Sequence, residues 1–76
     1  MEIKEAIKIR ITELCNEKSI TIYELGKLSG IRATTIYSII DGKSNNPSII
    51  SIENICKGLN VSVRDFFDDE LFDNID

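Results

Sequence analysis

Apolar residues recur along most of the chain at spacings of three and four residues, which is the period of an amphipathic helix. The first stripe predicts a helix over residues 2–17 and consists of Ile3, Ile7, Ile11, Leu14 and Cys15. Similar stripes predict four further helices over residues 21–29, 33–40, 49–59 and 63–67. In the fourth, the residues predicted to face inward are Ile49, Ile52, Ile55, Cys56 and Leu59. No segment shows a convincing strand alternation, so the pattern predicts an all-α fold.

Residues with capping chemistry stand at the predicted helix boundaries. In a capping box, a hydroxyl and a carboxylate three residues later bond free backbone N–H groups. Two such boxes are predicted, one formed by Thr21 with Glu24 and one by Ser62 with Asp65. Residues in the left-handed conformation often end helices, and they are predicted at Gly30, Gly42 and Asn60.

The segment from Thr21 to Asp41 has the pattern of two short helices joined by a tight turn. The small Gly26 lets the second helix pack closely across the first, and Gly30 supplies the positive φ that the turn needs. Three apolar residues then face inward: Ile31, Ile36 and Ile39. The outward face carries small and hydrogen-bonding side chains, namely Arg32, Ala33, Thr34, Tyr37 and Ser38. A face of this composition suits a helix that reads base edges in the major groove of DNA.

The charge distribution divides the chain into a domain over residues 1–67 and an acidic tail over residues 68–76. The formal net charge is −4, but the last twelve residues hold six acids and no base, so the first 64 residues carry a small positive surplus. This surplus predicts weak non-specific affinity for DNA. The tail is predicted to be solvated and disordered, with contact to a partner as the alternative. The apolar residues that favour the alternative are Leu71, Phe72 and Ile75.

The remaining composition narrows the possible function classes. The length of 76 residues corresponds to one domain. Cys15 and Cys56 are predicted to be buried free thiols, because a reducing cytoplasm and their apolar neighbours favour free thiols over a disulfide. Two cysteines without histidine cannot form a zinc site. The start of the chain does not resemble a signal peptide and no apolar run has membrane length, which predicts a cytoplasmic protein. No side-chain pair has a catalytic spacing, so neither enzymatic activity nor a cofactor is expected.

Four motifs in a fixed order carry a family resemblance. They are T-x-x-E-L-G-x-x-S-G-I at 21–31, I-x-x-I-x-D-G-K at 36–43, Pro47-Ser48, and L-N-V-S-V-x-D-F-F at 59–67. Over about residues 3–67 the chain resembles the phage Cro/cI-type repressor family, also called Xre-type helix-turn-helix regulators. The resemblance implies a five-helix bundle, the lambda repressor-like DNA-binding domain, which usually binds operator DNA as a dimer.

The resemblance also implies which residues contact DNA. The start of the third helix contacts base edges in this family, which here corresponds to Arg32, Ala33, Thr34, Thr35, Tyr37 and Ser38. The start of the second helix contacts phosphates, which here corresponds to Thr21, Ile22 and Tyr23. The loop after the third helix also contacts phosphates, and its residues are Lys43, Ser44, Asn45 and Asn46.

Three positions depart from the family pattern. Arg32 stands where a capping Ser is common, and losing that cap costs about 1 kcal/mol, which contact with guanine or phosphate would offset. Ile22 replaces a common Gln and cannot bond a phosphate through its side chain. Ile40 replaces a polar residue, which indicates either a protein contact or local packing.

Two function classes follow from these observations. The first is a sequence-specific transcriptional regulator. The resemblance implies a repressor that, as a dimer, places two recognition helices in successive major grooves about 34 Å apart. The alternative is a protein-interaction module, such as an antitoxin or the partner of a mobile-element regulator, which Ile40 and the acidic tail favour.

Overall fold

A computed structural model of the chain describes residues 1–41 and 47–76, and these residues form five α-helices and one short 3₁₀ helix. The α-helices are α1 (Ile3–Glu17), α2 (Ile22–Ser29), α3 (Ala33–Ile40), α4 (Ile49–Leu59) and α5 (Val63–Phe67). The 3₁₀ helix spans Glu70–Asn74. The all-α prediction is confirmed, and each α-helix begins and ends within one residue of its predicted bounds. None of the helices in the described ranges has the length and apolar content that crossing a membrane requires.

The helix boundaries follow the predicted capping chemistry with one correction. The box at α2 is complete, because Glu24 N donates to Thr21 Oγ1 at 3.1 Å and Thr21 N donates to Glu24 Oε1 at 3.0 Å. At α5, Ser62 Oγ accepts from Asp65 N at 2.9 Å, but the described hydrogen bonds include no reciprocal one. The prediction of a full box there is wrong, since the Asp side chain is one methylene shorter than the Glu or Gln that such boxes use.

Left-handed residues end two of the helices as predicted. Gly30 follows α2 with φ 72°, and Asn60 follows α4 with φ 58°. The cap predicted at Gly42 lies outside the described residues. The last described residue of this region, Asp41, has right-handed helical angles, and its backbone N–H bonds the carbonyl of Tyr37 at 2.7 Å.

The core is formed where α2 packs against α4 and α3, while α1 packs against α3 and the 3₁₀ helix. Its fully buried side chains are Ile11, Leu25, Ile36, Ile52, Ile55, Cys56, Leu59 and Phe66. Cys15 and Cys56 are both buried and free, as predicted, and burial raises the pKa of each thiol. Ile49 was predicted to face inward but is 64% exposed. It lies in the first turn of α4, where the described helices leave its side chain largely uncovered.

The C-terminal segment is ordered, so the expectation of a solvated, disordered tail is wrong. Phe72 of the 3₁₀ helix packs against the core, with its ring centroid 4.9 Å from that of Phe67 and 6.2 Å from that of Phe66. Asp69 caps the 3₁₀ helix by accepting from Leu71 N at 2.9 Å. The apolar residues within the acidic stretch therefore decide its structure. The division of the chain at residue 67 stays a prediction.

Arg10 of α1 holds the end of the chain in place. Its Nε donates to the Phe66 carbonyl at 2.7 Å and its Nη2 donates to the Asp65 carbonyl at 2.8 Å. Its Nη1 forms an ion pair with Asp69 Oδ2 at 3.2 Å. The Arg10 side chain is only 14% exposed, and its bonds to Phe66 and Asp69 are partly buried. Together the three bonds connect α1 to both α5 and the C-terminal segment.

Candidate nucleic-acid interface

The turn between α2 and α3 requires both of its glycines. A Cβ at Gly26 would lie 2.9 Å from the Ile31 carbonyl oxygen and 3.2 Å from Ala33 N, so the two helices approach each other through backbone atoms. Gly30 adopts the left-handed conformation, and Ile31 N donates to the Gly26 carbonyl at 3.2 Å. The predicted helix-turn-helix is therefore present, and this geometry fixes the direction of α3.

Arg32 stands at the N-cap position of α3, and its side chain makes no capping hydrogen bond. Its carbonyl accepts from Thr35 N at 2.9 Å and from Ile36 N at 3.3 Å, so the backbone begins the helix without help from the side chain. The guanidinium is exposed. An arginine at this place is electrostatically unfavourable against the positive end of the helix, which leaves its charge available for an anionic ligand.

The predicted base-reading residues divide into two groups by exposure. Those exposed to solvent are Arg32, Thr34, Thr35 and Tyr37, whereas Ala33 and Ser38 are half-buried. Ser38 Oγ donates to the Thr34 carbonyl at 3.0 Å, so its hydroxyl proton is already used within the helix. The structure thus brings all six together on α3 and its N-cap, and four of them are exposed to solvent.

Burial of the inner face of α3 explains why its outer face points to solvent. Ile36 and Ile39 are buried in the core, and Ile31 is half-buried against it. Ile40 is also half-buried and packs against the core. Local packing therefore accounts for the apolar residue at position 40.

The start of α2 presents a mixed surface. Thr21 uses its hydroxyl as the helix cap, and Ile22 packs against the core instead of pointing to solvent. Tyr23 is 59% exposed, and Lys27 Nζ lies 4.7 Å from the centroid of its ring. The sequence analysis did not identify Lys27 as a candidate contact residue. Its spacing of four residues from Tyr23 places the two side chains on one side of the helix.

A groove of about 430 Å³ lies at the surface where α3, α1 and the start of α2 meet. Tyr37 and Asp41 line it on the α3 side, while Thr12 and Asn16 line it on the α1 side. The phenol of Tyr37 is 47% exposed beside this groove.

The remaining predicted phosphate contacts lie outside the described residues. They are Lys43, Ser44, Asn45 and Asn46.

The charges on this surface favour an anionic ligand only modestly. Lys27 and Arg32 are its described bases, and α3 itself carries no charged residue. The Glu24 carboxylate is engaged as part of the α2 cap. The acids that follow residue 64 belong to α5 and the C-terminal segment, which pack against α4 and α1 instead.

This arrangement, a short exposed helix held by a glycine turn against a second helix, defines a helix-turn-helix protein. The sequence profile of the Cro/C1-type helix-turn-helix DNA-binding domain matches residues 10–71, and the chain belongs to this family. It is a DNA-binding transcriptional regulator. No curated protein matches the chain.

A solved structure with the same fold is that of a tyrosine-to-phenylalanine mutant of the restriction-modification controller protein C.Esp1396I. The two chains are 32% identical and superpose with a TM-score of 0.84. The match covers 96% of this chain and 92% of the controller protein. This similarity confirms the predicted fold over nearly the whole length of the chain.

Proposed function

We propose that the chain represses transcription as a homodimer in which each copy inserts α3 into the major groove of operator DNA. The observation that carries the proposal is the outer face of α3 and its N-cap, where Arg32, Thr34, Thr35 and Tyr37 are exposed. Such side chains match the donor and acceptor patterns of base edges.

Each side chain on this face has a chemistry that fits a base contact. Arg32 offers paired N–H groups to guanine O6 and N7, and Thr34 offers a hydroxyl together with a methyl for thymine. Thr35 and Tyr37 add exposed hydroxyls. Ala33 and Ser38 are less exposed, and they fit closer and smaller contacts such as the methyl group of thymine.

Phosphate contacts complete the proposed interface. Ile22 and Tyr23 are the first residues of α2, and their backbone N–H groups have no intrahelical acceptor, which suits a phosphate oxygen. Lys27 adds a cation beside Tyr23. Thr21 contributes through its position at the cap, and the polar side chains of residues 43–46 would extend the phosphate contacts on the other side of α3.

The class of regulated genes is suggested by the structural similarity. Because the similar protein is a restriction-modification controller, we include in the proposal that this chain controls genes of that type. Repression would follow when the bound dimer covers a promoter and excludes the polymerase. The proposed place of action is the cytoplasm, where the promoter DNA is accessible and where two free thiols remain reduced.

Selection of bound sequences from a random duplex DNA library, at physiological salt, tests this function. The proposal predicts enrichment of a palindrome whose half-sites lie about one helical turn apart. A folded protein that enriches no sequence would contradict it. The enriched site also gives the operator probe for the mutational tests described below.

A further inference from the structure

The side chains of Tyr23 and Lys27 contact each other on the exposed surface of α2. Lys27 Nζ lies 4.7 Å from the centroid of the Tyr23 ring, within the distance of about 6 Å at which the face of an aromatic ring attracts a cation. In the part of the chain that the structure describes, Lys27 is paired with no carboxylate. The ring therefore orients the charge of Lys27, and no described acid neutralises it.

This pair lies on the side of α2 that adjoins the beginning of α3. A Cβ on Gly26 would lie 2.9 Å from the Ile31 carbonyl oxygen and 3.2 Å from Ala33 N, so Gly26 faces the start of α3. Tyr23 stands three residues before Gly26, which places the two on one side of the helix. Lys27 follows Gly26 directly and stands four residues after Tyr23. The cation is thus held beside the helix that carries the candidate base-reading residues.

The ring also holds the ammonium near the start of α2. Side chains on a helix lean toward its N-terminus, and Tyr23 belongs to the first turn. In that turn the N–H of Glu24 is bonded to the Thr21 hydroxyl. The N–H groups of Ile22 and Tyr23 have no intrahelical acceptor. The ammonium and these N–H groups are at the same end of α2, where one phosphate can accept hydrogen bonds from both.

We propose that Tyr23 is a positioning residue, which holds the ammonium of Lys27 so that Lys27 contacts a DNA phosphate at the start of α2. This inference rests on the proposed function and deepens it, because it assigns the contact to one side chain and the orientation of that side chain to another. Tyr23 carries no charge, so its contribution to DNA binding is made through Lys27.

The neighbouring side chains explain why this contact falls to Lys27. Ile22 packs against the core, and the Thr21 hydroxyl is used in the helix cap. The Glu24 carboxylate accepts a hydrogen bond in the same cap and would repel a phosphate. Lysine has a long, flexible stem. A ring that already restricts its ammonium lowers the entropy that Lys27 loses when it binds.

The affinity of the full chain for a random-sequence DNA duplex, measured by fluorescence anisotropy between about 50 and 200 mM salt, tests the proposal. Lys27→Gln is expected to reduce the slope of log affinity against log salt by about 0.9, the value for one phosphate contact. Tyr23→Leu is expected to weaken binding about two- to fivefold, as the loss of an exposed cation–π contact implies. Tyr23→Phe keeps the ring and should bind like the wild type.

Lys57→Gln is the matched control, because it makes the same change of charge on α4, outside the proposed interface. It should keep the wild-type slope. In the Lys27→Gln background, Tyr23→Leu should cause no additional loss, since the ring then has no cation to hold. Circular dichroism checks that each variant folds.

Proton NMR of the free protein reports the orientation of Lys27 without any DNA. The Hε protons of Lys27 should resonate upfield of those of the other lysines, because they lie over the face of the Tyr23 ring. Tyr23→Leu should abolish this displacement and Tyr23→Phe should retain it. A wild type without the displacement would overturn the positioning role.

Three binding results also overturn the proposal: a wild-type salt slope in Lys27→Gln, a Tyr23→Phe variant as weak as Tyr23→Leu, or additive losses in the double variant. The random duplex separates this proposal from sequence-specific recognition. If the slopes change as expected but no operator can be selected, the positioning role holds and the proposed function fails. If an operator is selected but Lys27→Gln keeps the wild-type slope, the opposite conclusion follows. Absence of any binding at about 50 mM salt would contradict both.

Discussion

Gly26 and the carbonyl oxygen of Ile31 approach so closely that a Cβ on the glycine would lie 2.9 Å from that oxygen. This approach lets the turn fold back over α2 and sets the angle at which α3 leaves the domain. The packing of two backbone segments therefore determines how the candidate DNA-reading residues are presented to a ligand.

Replacing Gly26 with valine is expected to lower the free energy of unfolding by about 2 kcal/mol or more, because overpacking a tight contact typically costs 1–3 kcal/mol and here the neighbouring atoms belong to the backbone. Gly30→Ala serves as the comparison. It meets no atom within 4 Å, so its cost is only that of the left-handed conformation, about 1 kcal/mol. Urea denaturation measures both variants. Equal losses would show that the close approach does not constrain the turn.

Arg10→Ala is expected to destabilise the protein by about 2 kcal/mol, since it leaves the partly buried Phe66 carbonyl and Asp69 carboxylate, and the exposed Asp65 carbonyl, without their donor. Lys57→Ala is the matched control, because its ion pair with Glu53, at 3.9 Å, is exposed and such pairs contribute about 0.5 kcal/mol or less. Urea denaturation again gives the comparison. If the two variants lose the same stability, Arg10 does not anchor the C-terminal segment.

Arg32→Ala is expected to weaken binding to the selected operator by about 1–3 kcal/mol and to relax the preference at one base position. Arg64→Ala removes an exposed arginine from α5, outside the proposed interface, and should change operator affinity little. Fluorescence anisotropy on operator and on random duplexes measures both. An equal loss on the two duplexes would show that Arg32 contacts only phosphate.

Neutralising Asp68, Glu70 and Asp73 together as Asn, Gln and Asn is expected to strengthen non-specific DNA binding at low salt, because three exposed negative charges are removed. The folded C-terminal segment should persist, since Asp69 and Phe72 are unchanged. The effect should vanish near physiological salt, where the Debye length is about 8 Å. Unchanged low-salt binding would show that these acids do not influence the interface.

Burial raises the pKa of the thiols of Cys15 and Cys56 above the ordinary value of 9.0. The unfolded chain therefore ionises these thiols first, and the stability that they contribute is present below pH 9.0 and lost as the pH rises through their folded-state pKa values. A variant with both residues changed to alanine should lose less stability between pH 8 and pH 10 than the wild type does. Equal losses in urea denaturation would contradict this linkage.

The sequence predicted the helices because each one combines a three-to-four-residue apolar period with a recognisable cap. Thr21, Gly30 and Asn60 act through local backbone conformation, so neighbouring residues were sufficient to place them. The polar outer face of α3 followed from the same period. The assignment of individual side chains to bases or phosphates stays a prediction.

Contacts between distant parts of the chain were not predictable in this way. The bonds from Arg10 to Asp65, Phe66 and Asp69 join residues more than fifty positions apart, and no local pattern indicates such a pairing. The excess of acidic residues near the C-terminus predicted a solvated tail, so the packing of Phe72 against the core was not expected. The exposure of Ile49 was likewise not predictable. Its spacing from Ile52 is that of a core residue, but the core does not extend to the first turn of α4.

The central claim is that α3 and the start of α2 form the DNA interface. The most direct test is a titration of ¹⁵N-labelled protein with the selected operator duplex, followed by the backbone amide chemical shifts of every residue. The largest changes are predicted for residues 21–23 and 32–38, with small changes in α5 and the 3₁₀ helix. Changes concentrated in α5 and the 3₁₀ helix, with α3 unaffected, would contradict the account.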